Sequence, residues 1–292
     1  MTPPEFYKMD IKSNQLGNKR PISLTSILVP CLRIIIALCI LLIVGCINSF
    51  IFFPQPIAKE TLNVIKWRYK HAEEITIKTS DNVGLKGWFV KQSSMPKSPL
   101  ILYFGGNAEE VSYLIKETPR ITGWSLALIN YRGYGLSEGT PNEGNLCKDA
   151  VEIYDYFSKR PEIDNSKIVA FGRSLGTGVA VYLAQQRPIK GVILATPYDS
   201  INSVAQEKVS FIPVWLIFRN RFNSLSRAPS VNIPMLALLA SEDKVIPTWH
   251  AKRLIEKWAG KNTVITIEGA GHNTITYSEL YWESINDFLT QF

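Results

Sequence analysis

The sequence predicts an α/β fold, a mostly parallel sheet flanked by helices, and three observations predict it. From residue 100 onward, short apolar runs rich in β-branched residues alternate with longer stretches of helical pattern. Two alternating segments, 74–78 and 85–90, precede them, joined through the turn Asp81-Asn82-Val83-Gly84 as an antiparallel pair. Third, Gly172-Arg173-Ser174-Leu175-Gly176 lies between the strand-like Ile168-Val169-Ala170-Phe171 and a helical run from Thr177 to Arg187. Strand, sharp turn and helix with a serine at the apex is the arrangement of a nucleophile elbow.

The elements follow in order. After the opening pair come a strand at 100–104, a helix at 109–118 and a strand at 126–130. A helix at 143–158, a strand at 168–171 and a helix at 175–186 surround the serine. Strands at 192–195 and 235–240, a helix at 248–258, a strand at 264–267 and a helix at 277–289 complete the domain. No internal repeat and no low-complexity tract interrupts the pattern.

The chain has 292 residues, is 46% hydrophobic and carries a net charge of +7. That suits a globular protein with a sizeable core. Residues 1–33 hold five Lys/Arg against two acids, so about +3 of the excess is N-terminal, and no basic run points to nucleic acid. Of the four cysteines, Cys31, Cys39 and Cys46 lie in the N-terminal region, which leaves Cys147 without a partner for a disulfide in the globular part.

Between Ile34 and Ala58 there is no charged residue, and 34–53 has the length of a membrane span. Residues 1–33 are therefore read as a tail, 34–53 as an anchor, 54–73 as a linker and 74–292 as the catalytic domain, with 200–232 a candidate cap. The anchor has two readings, an uncleaved signal anchor or a lipoprotein signal. Ile43-Val44-Gly45-Cys46 resembles a bacterial lipobox and would make Cys46 the lipidated residue. Lys8, Lys12, Lys19, Arg20 and Arg33 precede the span while Lys59, Lys66, Arg68 and Lys70 follow it, a slight lean toward a cytoplasmic N-terminus and an exported domain.

A serine hydroxyl needs a positioned base, and the chain has three histidines. His71 precedes the first strand, and His250 starts a helix, where a surface or capping role is expected. His272 follows the last strand in Glu268-Gly269-Ala270-Gly271-His272-Asn273, at the sheet edge where chemistry gathers, and is the expected base. Asp243, after the strand ending at Ala240, is the expected orienting acid; Asp199 in Thr196-Pro197-Tyr198-Asp199-Ser200 is its rival. The Leu175 N–H at the helix start and the Asn107 N–H in Tyr103-Phe104-Gly105-Gly106-Asn107-Ala108 are the expected oxyanion donors. No cofactor is needed, and three scattered histidines do not make a metal site.

The elbow, the Gly-Gly-Asn loop and Asn130-Tyr131-Arg132-Gly133-Tyr134-Gly135-Leu136-Ser137-Glu138-Gly139-Thr140-Pro141 together resemble the membrane-anchored ABHD-type α/β hydrolases. That group includes bacterial relatives described as serine-aminopeptidase-like. The resemblance covers about residue 50 to the C-terminus and implies an α/β-hydrolase fold and esterase, lipase or acyl-thioesterase activity. The chain departs from the family pattern at Gly105-Gly106-Asn107, where such proteins usually read His-Gly-Asn; the resemblance implies that this histidine supports the oxyanion loop. The Tyr131–Gly135 segment is read as a structural loop shaping the site floor. Within the candidate cap, the apolar 209–218 followed by Arg219, Arg221 and Arg227 suits a fatty-acyl group with a polar or anionic head; a core helix with solvated arginines is the alternative. A peptidase with the same triad and a non-catalytic membrane-tethered binding module remain as other readings.

Overall fold

In a computed structural model, residues 28–35, 38, 51–92, 95–208 and 221–292 are described. The chain divides into two units, Met1–Gly45 and Cys46–Phe292. In the first, residues 28–35 are helical with exposed side chains. No helix among the described residues is long and apolar enough to cross a membrane. Most of the expected anchor, with Cys39 and Cys46, lies outside the described residues. Its far end is a correction: Ile51 and Phe52 are 6% and 7% exposed and belong to the globular core, where Phe52 packs on Phe222 at 6.3 Å.

The second unit is built on one eight-stranded sheet. Its strands are β1 (Ala72–Lys78), β2 (Gly84–Val90), β3 (Ser98–Phe104), β4 (Ser125–Ile129), β5 (Ile163–Arg173), β6 (Gly191–Ala195), β7 (Met235–Ala240) and β8 (Asn262–Ile267). Their order is β1-β2-β4-β3-β5-β6-β7-β8. β1 pairs antiparallel with β2 and β2 with β4, while the other pairs are parallel.

β3, β4, β6 and β7 are buried along their whole length, and β5 over residues 168–172, because helices cover both faces. Leu100, Leu102, Phe104, Ile168 and Ala170 enter one core with α2 (Glu143–Phe157) and α3 (Leu175–Gln186). Ile101, Tyr103, Val169 and Phe171 point the other way, against the 3-10 segment Val111–Arg120 and α7 (Glu279–Leu289). The helices between are α1 (Lys59–Arg68), α4 (Ile201–Lys208), α5 (Ser224–Arg227) and α6 (Thr248–Lys257).

Several expected bounds shift. The expected linker contains α1, which buries Ile65. The expected helix at 109–118 is a 3-10 segment. Glu110 caps it by accepting from Ser112 N at 3.1 Å, and Pro119, which has no N–H to give, sits inside its end. β5 starts five residues early, at Ile163, with a register irregularity against Ser98 and Leu100. Within the candidate cap, α4 and α5 are described while 209–220 lies outside the described residues. The expected basic rim is occupied in part: Arg227 lies over the Tyr182 ring and 3.6 Å from Glu143. Cys147 is buried, and that burial pushes its thiol up to about 12.

The loop after β4 is held by a buried cation. Arg132 Nε donates to Asp149 Oδ2 at 2.7 Å and its Nη1 to Asp81 Oδ2 at 2.6 Å, with 3% of the Arg132 side chain exposed. The bond from Arg132, then that from Thr79, holds the Asp81 carboxyl far below its ordinary range. A depressed folded value stabilises above the unfolded value of about 3.9 and is lost as pH falls below it. Burial moves Asp149 the other way, so removing Arg132 leaves an unpaired buried carboxylate. Arg132→Leu is therefore expected to cost about 3–5 kcal/mol of unfolding free energy in urea at pH 7, and the deficit should narrow below about pH 4.

Candidate active site

Strand order reverses where β3 and β5 lie side by side, and the crevice at their carboxyl ends is where open α/β sheets place ligands. The loop after β3 carries Gly105, Gly106 and Asn107, and β5 runs directly into Ser174. The loops after β7 and β8 bring Asp243 and His272 to the same edge.

Ser174 sits at φ 50°, ψ −118°, a conformation that side-chain-bearing residues seldom adopt. Close packing holds it there. A Cβ on Gly172 would lie 2.3 Å from the Gly176 carbonyl oxygen, and one on Gly176 would lie 2.0 Å from the Phe104 carbonyl oxygen. Only hydrogen fits at either position. Ser174 N donates to Ala195 O of β6 at 2.9 Å, and its carbonyl accepts from Thr177 Oγ1 at 2.7 Å. The turn is thereby fastened to β6 behind and α3 ahead.

Ser174 Oγ lies 2.9 Å from His272 Nε2, and His272 Nδ1 lies 2.7 Å from Asp243 Oδ2. A carboxylate only accepts, so Nδ1 carries a proton and Nε2 of the neutral ring accepts from the serine hydroxyl. The other oxygen of Asp243 accepts from Val245 N at 2.9 Å and Ile246 N at 2.8 Å, which fixes its plane. The side chains of His272 and Asp243 are 8% and 2% exposed.

Asp199, the rival acid, is engaged elsewhere. It bonds to His250 Nδ1 at 2.9 Å and accepts from Arg253 Nη1 at 2.7 Å, while His250 Nε2 meets Glu207 Oε2 at 3.0 Å. His250 is fully buried, not the surface or capping residue expected from its place at a helix start. It joins the β6 loop and α4 to α6. Burial works against the Asp199 charge, but His250, the Ser200 amide and Arg253 bring its carboxyl below the ordinary value. His71, the third histidine, makes its ring contact with Tyr69.

The loop that carries Asn107, the expected second oxyanion donor, makes more contacts than the sequence indicated. Leu175 is the first residue of α3, where an N–H has no acceptor within the helix. In the facing loop the Gly106 N–H is taken, donating to Glu109 Oε2 at 2.8 Å. Glu109 also accepts from Tyr103 OH at 2.5 Å and Arg173 Nη1 at 2.8 Å. Arg173 Nη2 donates to Asn273 Oδ1 at 3.0 Å, so the residue before the serine ties Glu109, and through it the Gly105-Gly106-Asn107 loop, to the His272 loop. Burial opposes the Arg173 charge, but the nearby Glu109 carboxylate leads the groups that hold the guanidinium above its ordinary value. The Tyr131–Gly135 loop, read as site floor, reaches the same place. Tyr131 OH donates to Gly105 O at 3.0 Å and Tyr134 OH to Asn107 O at 2.6 Å. Glu109, Arg173 and the two hydroxyls were missed as site residues; the sequence places them near the motifs but shows nothing of which way they turn.

A model of the α/β hydrolase fold matches residues 99–217. The α/β hydrolase domain-containing protein WAV2 of Arabidopsis thaliana is 30% identical over 261 residues, which cover 81% of this chain and 82% of WAV2. The chain belongs to the α/β-hydrolase family. A Saccharomyces cerevisiae relative described as an uncharacterized membrane protein is 32% identical over 228 residues, covering 75% of this chain and 80% of its own length. The esterase Pf2001 of Pyrococcus furiosus shares the fold, with a TM-score of 0.63 at 17% identity over 82% of this chain and 97% of its own.

Gly176→Ala is expected to displace the start of α3 and give a protein that unfolds in urea well before wild type. Asp199→Asn should cost about 1–3 kcal/mol in the same measurement, because it weakens the hydrogen bonds that the buried Asp199 carboxylate makes with His250 and Arg253.

Proposed function

We propose that this α/β hydrolase is a serine hydrolase that cleaves carboxylic esters or thioesters through an acyl-enzyme on Ser174. The observation that carries the reading is the unbroken chain from Ser174 Oγ to His272 Nε2 and from Nδ1 to Asp243. His272 takes the hydroxyl proton as Oγ attacks the acyl carbon, and Asp243 stabilises the imidazolium. The Leu175 and Asn107 N–H groups donate to the oxygen that becomes negative. Collapse of the tetrahedral intermediate expels the alkoxide or thiolate, which takes the proton from His272. A water then gives its proton to the same imidazole, attacks the acyl carbon and releases the acid, restoring Ser174. No metal or organic cofactor enters these steps.

The substrate reading is a lipidic acyl group. It rests on the apolar 209–218 segment in the cap and on the apolar 34–50 segment, which would tether the domain to a bilayer with the catalytic unit exported. The yeast relative's description as a membrane protein supports the tether.

A fluorophosphonate probe should label the wild-type protein and fail on Ser174→Ala; labelling that survives the substitution would refute the assignment. On p-nitrophenyl acyl esters, Asp243→Asn should lower kcat by about 10⁴-fold by stabilising the wrong tautomer. Asp199→Asn should keep the wild-type rate wherever it folds. Hydrolysis of aminoacyl amides in preference to esters would redirect the reading to a peptidase.

A further inference from the structure

The segment Gly105-Gly106-Asn107 has two adjacent glycines, so its peptide planes rotate freely unless outside groups hold them. Three successive peptide units decide the geometry. The Gly105–Gly106 unit is held at both ends: its carbonyl accepts from Tyr131 OH at 3.0 Å and its N–H donates to Glu109 at 2.8 Å. The Asn107–Ala108 unit is held at its carbonyl, which accepts from Tyr134 OH at 2.6 Å and from Phe53 N–H at 2.9 Å. Between them lies the Gly106–Asn107 unit, whose N–H is the second oxyanion donor assigned above. Its orientation follows from its two pinned neighbours.

We propose that Tyr131, Tyr134 and Glu109 are positioning residues that hold the Asn107 N–H toward the oxyanion above Ser174. The space around Gly105 agrees, since a Cβ there would meet the Glu109 carboxyl at 3.2 Å. Both tyrosines are protonated donors: burial raises each phenol above its ordinary value. The clamp is itself braced. Gly135 N donates to Gln55 O at 2.8 Å and Pro56 bridges to Gly135, so the strap around Phe53 and the tyrosine loop support each other before both reach the Asn107 carbonyl. Glu109 is fixed by Tyr103 and Arg173, which places the residue next to the nucleophile in the same network.

The inference rests on the Ser174 acyl-enzyme reading, and its test separates the two. Tyr131→Phe, Tyr134→Phe, their double variant and Glu109→Gln, which keeps an acceptor for the Gly106 N–H, are compared with wild type and with Tyr154→Phe, a control in the core on α2. Hydrolysis of a p-nitrophenyl ester is measured beside inhibition by a trifluoromethyl ketone, which Ser174 converts to a tetrahedral alkoxide. Each tyrosine variant should lose about 10-fold in kcat, and the double about 100-fold, with KM within about twofold. The ketone inhibition constant should rise in step with the fall in kcat, and backbone amide exchange across 105–108 should quicken. Tyr154→Phe should change none of these. Unchanged kcat and ketone affinity in both tyrosine variants would overturn the proposal even if melting temperature fell, because a merely structural role predicts that pattern. Unchanged exchange across 105–108 would overturn it as well, and that measurement requires no turnover. A wild-type protein that neither hydrolyses the ester nor reacts with the ketone would instead overturn the Ser174 reading, leaving the exchange result to decide the clamp.

Discussion

Everything at the site depends on the contact between Gly176 and the carbonyl of Phe104. That contact lets α3 begin directly against the end of β3, and the tight turn from β5 into α3 carries Ser174 at positive φ. Strain of this kind costs of the order of 1–3 kcal/mol and persists only where surrounding structure over-determines it. Here β6, through Ala195, and Thr177 of α3 supply that constraint.

The same edge of the sheet holds two buried histidines with carboxylate partners, and their surroundings give them different tasks. His272 has one carboxylate and one hydroxyl, so its second nitrogen is free to accept a proton from an alcohol. His250 is enclosed by Asp199 and Glu207, leaving no nitrogen for a substrate. Type and strand-end location are shared; the partners of the second nitrogen separate a candidate base from a brace between elements.

Arg173 links these parts. Its guanidinium reaches Glu109, which holds the Gly105-Gly106-Asn107 loop, and Asn273 beside His272, so the loops on either side of Ser174 are joined through its immediate neighbour. Two tyrosines and a strap from the end of the apolar N-terminal run converge on the same loop. The early chain is therefore part of the site's support, although the sequence alone suggests a simple exit from an anchor.

The amino-acid sequence by itself determined the alternating strands and helices, the elbow and His272 as the candidate base. These depend on local patterns: β-branched runs bury on both sides of a parallel sheet, and glycines on each side of a serine permit one sharp turn. It also ranked Asp243 above Asp199 from spacing alone. Tertiary structure decided what local pattern does not encode. The 3-10 form of 111–120, the helix at Lys59–Arg68 and the burial of Ile51, Phe52 and His250 all depend on which surface each segment meets. The clamp on Gly105-Gly106-Asn107 belongs to the same class. Its contacts join residues 53, 109, 131 and 134 to backbone groups whose directions are set only after the sheet has formed.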